Sequence, residues 1–267
     1  VMYLGMVIRF SAFLLLLTIV FFSFGYAIWY PSIRRYRPVI GGVKYMSVRV
    51  YIDGDISEPY GNCTIGYIGR DMYGRRYIVS ASHCFNWTRS GVGWIWTMHQ
   101  PKLYSNERYG YIGSLSFINQ YVDAAFISPI TNTRAKILTK LPSGTPYKAK
   151  VVNYYHISEI KNNILKNKII LKTGYSSGVT RGSFIGYRQV LYLAGRPLYY
   201  VVLIDIPTQD GDSGGPSYTA KWVFQRGRRY YVLNLIGILS ANPYYAWFIS
   251  VHGIELMTGV KPITYNV

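Results

Sequence analysis

Acidic side chains are scarce in this sequence: 11 Asp and Glu stand against 29 Lys and Arg in 267 residues, a formal charge of +18. A field of that sign attracts polyanions, acidic lipid headgroups or acidic substrates. The cations are nonetheless spread along the chain (Arg34, Arg35 and Arg37; Lys161, Lys166, Lys168 and Lys172; Arg226, Arg228 and Arg229). No helix-turn-helix, zinc-finger or RNA-binding signature accompanies them. Specific nucleic-acid binding is therefore not expected, and a solvated basic surface on an exported protein is. Cysteine is scarcer still, with two, Cys63 and Cys84. His99, His156 and His252 stand alone in sequence, so no Cys/His cluster has metal-ligand spacing, and neither metal nor cofactor is expected. No tandem repeat is visible, which argues against a repeat array.

Aromatic and apolar residues take the place of charge. The chain holds 28 Tyr, 11 Phe and 6 Trp, is 50% hydrophobic and only 15% charged. That suffices for one large or two modest cores and favours pleated sheets. The stretch from about Phe10 to Trp29 is uncharged and long enough, as a helix, to cross a bilayer. It reads as a signal anchor or a signal peptide, with Gly25-Tyr26-Ala27 as a cleavage site. Arg34, Arg35 and Arg37 follow it, and the positive-inside tendency would hold that triplet in the cytoplasm. The body is nonetheless expected on the extracellular side of the membrane, or secreted, where a disulfide persists. From Val39 onward, short apolar or alternating runs recur between Gly, Pro, Asn and Asp: Tyr45–Ile52, Cys63–Ile68, Arg76–Ser80, Val92–Met98, Asp123–Ile127, Lys148–Tyr154, Ile169–Lys172, Gly182–Tyr187, Leu198–Ile204, Tyr230–Ile238 and Ala246–Val251. Thr131–Pro146 reads as a linker, Gln225-Arg226-Gly227-Arg228 as a hairpin tip, and Ile254–Met257 as the one short helix. The expected organisation is an N-terminal segment 1–30, a β unit 31–144 and a second β unit 145–267.

Three motifs carry chemistry. Gly211-Asp212-Ser213-Gly214-Gly215-Pro216 puts a serine hydroxyl on a Gly-flanked turn, where bare backbone N–H groups can face the oxygen of a carbonyl under attack. Upstream lie His83 in Ser80-Ala81-Ser82-His83-Cys84 and Asp123 in Val122-Asp123-Ala124-Ala125-Phe126-Ile127. A nucleophile, a base and a group to orient the base are the parts of acyl transfer, here in the order His, Asp, Ser. Cys84 adjoins His83, so a Cys63–Cys84 bridge would fix that loop. In a cytosolic protein the two would be free thiols instead.

These motifs resemble the chymotrypsin clan of serine proteases, and within it the branch of alpha-lytic protease and the streptogrisins. Val39-Ile40-Gly41-Gly42 resembles the start of their mature chains, and Lys172-Thr173-Gly174-Tyr175-Ser176-Ser177-Gly178 a segment peculiar to that branch. The likeness covers about residues 39 to 260, discontinuously. It implies an all-β fold of two six-stranded Greek-key β-barrels, preceded here by the hydrophobic helix, and a monomeric endopeptidase acting on polypeptides. It also implies an oxyanion hole from the N–H groups of Gly211 and Ser213. Ser240, Ala241 and Asn242 would line the substrate, with Leu239, Pro207 and Thr208 about an uncharged side-chain pocket, while Asp205 lies near enough in sequence to leave a trypsin-like pocket as the alternative. Ser240 would bond Asp123, and Lys172 would pair with Asp212 in place of a freshly cut N-terminus. Leu171 and Arg181 stand where the family often carries a cysteine pair, and Pro207 where another cysteine is common. Two rival readings are an idle protease-fold module binding anionic polymers or lipids and an α/β-hydrolase esterase. The esterase fits poorly because its acid and histidine follow the serine.

Overall fold

A computed structural model describes residues 36–51, 57–85, 94–100, 110–242 and 244–266. The hydrophobic stretch 10–29 lies outside them. Among the described residues no helix is long and apolar enough to cross a membrane.

The first sheet runs β17 (Lys261–Pro262), β4 (Tyr67–Arg70), β5 (Arg76–Ala81), β8 (Ala124–Pro129), β7 (Tyr111–Asn119), β6 (Trp94–His99), β2 (Lys44–Tyr51), β3 (Ser57–Thr64). Strands β3 and β4 sit far apart in that order, yet only Ile65 and Gly66 separate them along the chain. One bent segment therefore closes the sheet into a barrel. The bend is tight: a Cβ on Gly66 would lie 2.8 Å from the Gly214 carbonyl oxygen and 2.7 Å from Ile238. Inside this barrel Ile65, Ile78, Phe85, Met98, Ile112 and Ile127 are fully buried, each stabilising the fold by about 1.5–3 kcal/mol relative to exposure.

The second sheet runs β1 (Val39–Gly41), β9 (Thr133–Lys140), β10 (Pro146–Tyr154), β15 (Arg228–Ala241), β14 (Pro216–Gln225), β11 (Ile170–Gly174), β12 (Gly178–Leu193), β13 (Arg196–Asp205), β16 (Ala246–Ser250). Pairing of β16 back onto β15 closes its last six strands into a second barrel. The reading of Thr131–Pro146 as a linker is corrected here. Thr133–Lys140 is a strand, its alternating residues buried, paired antiparallel with β10 and parallel with β1.

Two hairpins turn on left-handed pairs suited to type I′ geometry: Ala194–Gly195 (φ 48 and 78) between β12 and β13, and Arg226–Gly227 (φ 48 and 74) between β14 and β15. The second is the expected tip. The C-terminal helix, α2 (Val251–Thr258), starts at Ser250 and stops at Gly259 (φ 72). A second helix, α1 (Ile157–Lys161), was not foreseen. Glu159 reaches back to the His156 backbone N–H at 2.8 Å and caps it.

Candidate active site

Asp123 closes a 3-10 turn (Gln120–Val122) in the left-handed conformation, φ 37, at the head of β8. The bend turns its carboxylate toward a matching turn after β5, where Ser82, His83 and Cys84 follow. Four donors converge on it. Oδ1 accepts from Ser82 Oγ at 2.7 Å and the His83 backbone N–H at 3.0 Å. Oδ2 lies 2.7 Å from His83 Nδ1 and accepts from Ser240 Oγ at 2.6 Å. Burial alone would push the Asp123 carboxyl up; the His83 charge and hydrogen bond, then Ser240 and Ser82, hold it below its ordinary value. Burial also works against the His83 imidazolium, but the Asp123 charge and hydrogen bond outweigh it and raise the His83 pKa. With Nδ1 committed to Asp123, Nε2 is the ring nitrogen left to exchange a proton.

The bridge between Cys63 and Cys84 forms. It ties the residue after His83 to the end of β3.

The Gly211–Pro216 turn meets this pair from the second barrel. Thr64 N–H donates to the Ser213 carbonyl at 2.9 Å, and Gly214 N–H to the Leu239 carbonyl at 2.8 Å. Leu239 immediately precedes Ser240, the residue on Asp123. Gly214 (φ +79) is where the barrels touch: a Cβ there would lie 2.1 Å from Ser80 Oγ and 3.0 Å from the Ala81 nitrogen. Ser213 is thereby held beside the strand that leads into His83. Among the described residues no hydrogen bond joins Ser213 Oγ to His83. The N–H groups of Gly211 and Ser213 likewise have no acceptor among them. Two adjacent open donors on such a turn can receive a developing oxyanion.

Asp212 points the other way and is fully buried, as is Lys172 on β11. Lys172 Nζ lies 2.6 Å from Asp212 Oδ2, and the same carboxylate accepts from the N–H groups of Ser176 and Ser177 at 3.1 Å and of Gln209 at 3.0 Å. Ser177 Oγ adds a bond to Oδ2 at 2.5 Å. Burial draws the Lys172 ammonium below its ordinary value while Asp212 pulls it back up. Gly174 makes room, since a Cβ there would sit 2.0 Å from Asp212 Oδ1.

Of the expected pocket residues, Thr208 and Asn242 meet: Asn242 Nδ2 donates to Thr208 Oγ1 at 2.5 Å. Leu239 is buried and Ala241 half-buried. Pro207 lines a separate cavity of 710 Å³ with Leu171, Arg181 and Tyr231, its carbonyl held by Thr180 Oγ1 at 3.0 Å. Leu171 and Arg181 are direct partners across β11 and β12.

Sequence reasoning missed several residues here. Thr64 Oγ1 donates to the Gly211 carbonyl at 2.9 Å and accepts from Tyr175 N–H at 3.0 Å. The Tyr175 ring fills the space beside Gly211, and Lys44 Nζ lies 4.5 Å from its centroid. These contacts cross between barrels, and nothing local announces them. His156 and His252, which stand alone in sequence, come together where the start of α1 meets α2: their ring centroids are 4.3 Å apart, and His252 Nδ1 accepts from the Ile157 N–H at 3.2 Å.

The sequence matches no family model and no curated protein. Solved structures do match. A Nocardiopsis protease superposes with TM-score 0.52 at 15% identity, over 85% of this chain and 99% of that one. Thermobifida fusca protease A gives 0.52 at 14%, over 85% and 99%. A glutamic acid specific serine protease gives 0.55 at 17%, over 84% and 100%. The fold is that of the chymotrypsin-type serine proteases. In a chymotrypsin-type frame the His83–Asp123 pair belongs to the first barrel, and the Ser213 turn, Ser240 and the Lys172–Asp212 pair to the second, so the cleft between barrels is the candidate site.

Proposed function

We propose that this chain is a serine endopeptidase in which Ser213 is the nucleophile, His83 the general base and Asp123 the group that orients His83. The observation that carries the reading is the four-donor cradle of Asp123, with His83 Nδ1 at 2.7 Å, together with a Gly-flanked serine turn that has two open N–H donors and packs against Thr64 and the end of β5. Ser213 Oγ attacks the peptide carbonyl as its proton passes to His83 Nε2. The carbonyl oxygen takes up negative charge between the N–H groups of Gly211 and Ser213. His83 then returns the proton to the leaving amine nitrogen as the C–N bond breaks, and water, activated by the same nitrogen, releases the acyl group. Catalytic hydrogen bonds tighten when substrate binds, so an open Ser213–His83 pair in a free enzyme fits this route.

The Lys172–Asp212 pair removes the need for a new N-terminus to balance Asp212, so the enzyme is active without cleavage ahead of Val39. Thr208 and Asn242, both uncharged, favour an uncharged residue at the scissile bond. Export to the extracellular side fits the Cys63–Cys84 bridge. The deciding experiment is labelling with a fluorophosphonate, which reacts only with an activated serine. Wild type labels and Ser213→Ala does not. An unreactive wild type, correctly folded, ends this reading.

A further inference from the structure

The hairpin tip that the sequence announces at Gln225-Arg226-Gly227-Arg228 plays no part in the chemistry above. Strand β11 pairs with β14 only at Ser217 and Tyr218, and β10 pairs with β15 only from Val232 to Leu235. Beyond those positions Trp222–Gln225 and Arg228–Tyr231 pair only with each other among the described residues. The outer half of this hairpin therefore leaves the second barrel.

Its two faces differ. Cross-strand partners share a face, so Trp222, Phe224, Arg229 and Tyr231 lie on one and Val223, Gln225, Arg228 and Tyr230 on the other. On the second face Lys150 covers Tyr230, its Nζ 4.6 Å from the ring centroid. On the first, Tyr231 is buried against Tyr147, but Trp222 is 38% and Phe224 76% exposed. The Arg229 guanidinium lies 4.6 Å over the Trp222 ring. At its foot this face meets the 710 Å³ cavity at Ala220 and Tyr231, where Leu171 and the exposed Ile169 continue the apolar surface.

Charge decides what fits such a face. From Lys221 to Tyr231 the chain carries Lys221, Arg226, Arg228 and Arg229 and no carboxylate. None of the four is in an ion pair among the described residues. A second copy would set cations against cations, since the net charge is +18. A soluble polyanion would satisfy the guanidinium groups but leave Trp222 and Phe224 in water. An anionic bilayer answers both: aromatic rings settle at headgroup level, and the cations meet the negative surface.

We propose that the β14–β15 hairpin is a membrane-docking element that sets Phe224 and Trp222 into the headgroup layer of an anionic bilayer while Arg226, Arg228 and Arg229 face its phosphates. This does not depend on the endopeptidase reading. The test places a polarity-sensitive dye on Phe224→Cys in the full chain, whose two native cysteines are bridged. The same dye on Met72→Cys, 85% exposed at the β4–β5 turn, is the reference. Each is mixed with vesicles of phosphatidylglycerol or of phosphatidylcholine. Emission from position 224 shifts to the blue and is quenched by brominated acyl chains in phosphatidylglycerol only, and position 72 responds to neither lipid. Because the readout is local, attachment through another segment does not produce it. Added salt weakens the response. Arg226→Gln with Arg228→Gln lowers the ratio of inserted to free tip about thirtyfold, each cation near such a surface contributing about fivefold. Arg226→Lys with Arg228→Lys retains the response. No shift at position 224, an equal shift with phosphatidylcholine, or an unaltered one in the glutamine pair overturns the proposal. So does an equal shift without vesicles, on adding heparin or raising the protein concentration, which would assign the face to a soluble polyanion or a second copy.

Discussion

Replacing Lys172 by Met tests how the nucleophile turn is held. The ammonium is fully buried and bonds both Asp212 Oδ2 and Ser177 Oγ at 2.6 Å. Removing one partner of such a pair leaves a charge stranded out of water, at a cost of about 3–5 kcal/mol. Asp212 keeps four neutral donors, the N–H groups of Ser176, Ser177 and Gln209 and the Ser177 hydroxyl. These place the loss near 3 kcal/mol, at the lower end of that range. With a urea dependence of about 3 kcal/mol per molar for a chain of this size, the unfolding midpoint should fall by about 1 M. Asp212→Asn should cost a similar amount, and the double variant much less than the sum, with a coupling of about 2 kcal/mol. Labelling of Ser213 should slow even where Lys172→Met remains folded, because Asp212 adjoins the nucleophile and fixes its N–H direction. A midpoint shift of less than about 0.3 M, or additive single losses, would falsify the reasoning that charge neutralisation inside the barrel holds this turn.

Four further outcomes are expected. The Asp123 interaction raises the His83 pKa, so the acid limb of kcat/KM should titrate above the ordinary histidine value, the active form being the neutral ring; in Asp123→Asn that limb should move to lower pH while kcat falls about 10⁴-fold. The stability carried by the protonated pair runs the other way: fully present below the unfolded histidine value, it disappears as pH rises through the raised one, which thermal melts across pH 5–9 would register. Replacing both Cys63 and Cys84 by Ser opens a loop with sequence separation 21 and should cost about 3 kcal/mol; calorimetry showing no loss would mean the loop is held by other contacts. Gly253→Ala should destabilise although Ala favours helix, because its Cβ would lie 2.4 Å from the Cβ of Tyr200, itself at φ 60; an unchanged denaturation midpoint would show that β13 can yield there.

The parts of this protein that could be read from its sequence are those whose cause is local. Gly211-Asp212-Ser213-Gly214-Gly215 announces itself because close backbone approach at Gly211 and Gly214 admits no side chain. The Lys172–Asp212 pair spans 40 residues and came through the segmental likeness, as did the Ser240–Asp123 bond. Strand β9 was missed because Thr-Arg-Ala-Lys-Ile-Leu-Thr-Lys, followed by Pro142, Ser143 and Gly144, looks polar enough for a linker. That Pro-Ser-Gly run is the hairpin turn into β10, and the buried positions of β9 are set by pairing with β10 on one side and with the sequence-distant β1 on the other. The outer half of β12 and β13 carries exposed and half-buried residues on both faces, so period-two alternation fades where the hairpin leaves the barrel. Arg196 lines the cavity beside His83 and Asp123 only through that projection, and no motif marks it.

The two sides of the cleft are built differently. On the nucleophile side, position is fixed by backbone: Thr64 N–H on the Ser213 carbonyl, Gly214 N–H on Leu239, and Leu239 N–H on Gly215 at 2.9 Å. Beneath them a buried relay runs from the Tyr45 hydroxyl to Ser80 Oγ and on to the Thr64 carbonyl. These bonds tie the turn to β3 and to β15, while the buried Lys172–Asp212 pair neutralises the charge beside it. On the opposite side, the wall beside His83 and Asp123 is the tip of the β12–β13 hairpin, which turns on Ala194–Gly195 and rests through Tyr199 on Tyr121. A frame with fixed chemistry and a replaceable wall can change the sequences it accepts without touching Ser213, His83 or Asp123. By that logic, if the endopeptidase reading holds, substitutions between Leu191 and Leu198 should alter which peptides are cut far more than how fast Ser213 reacts with a small fluorophosphonate.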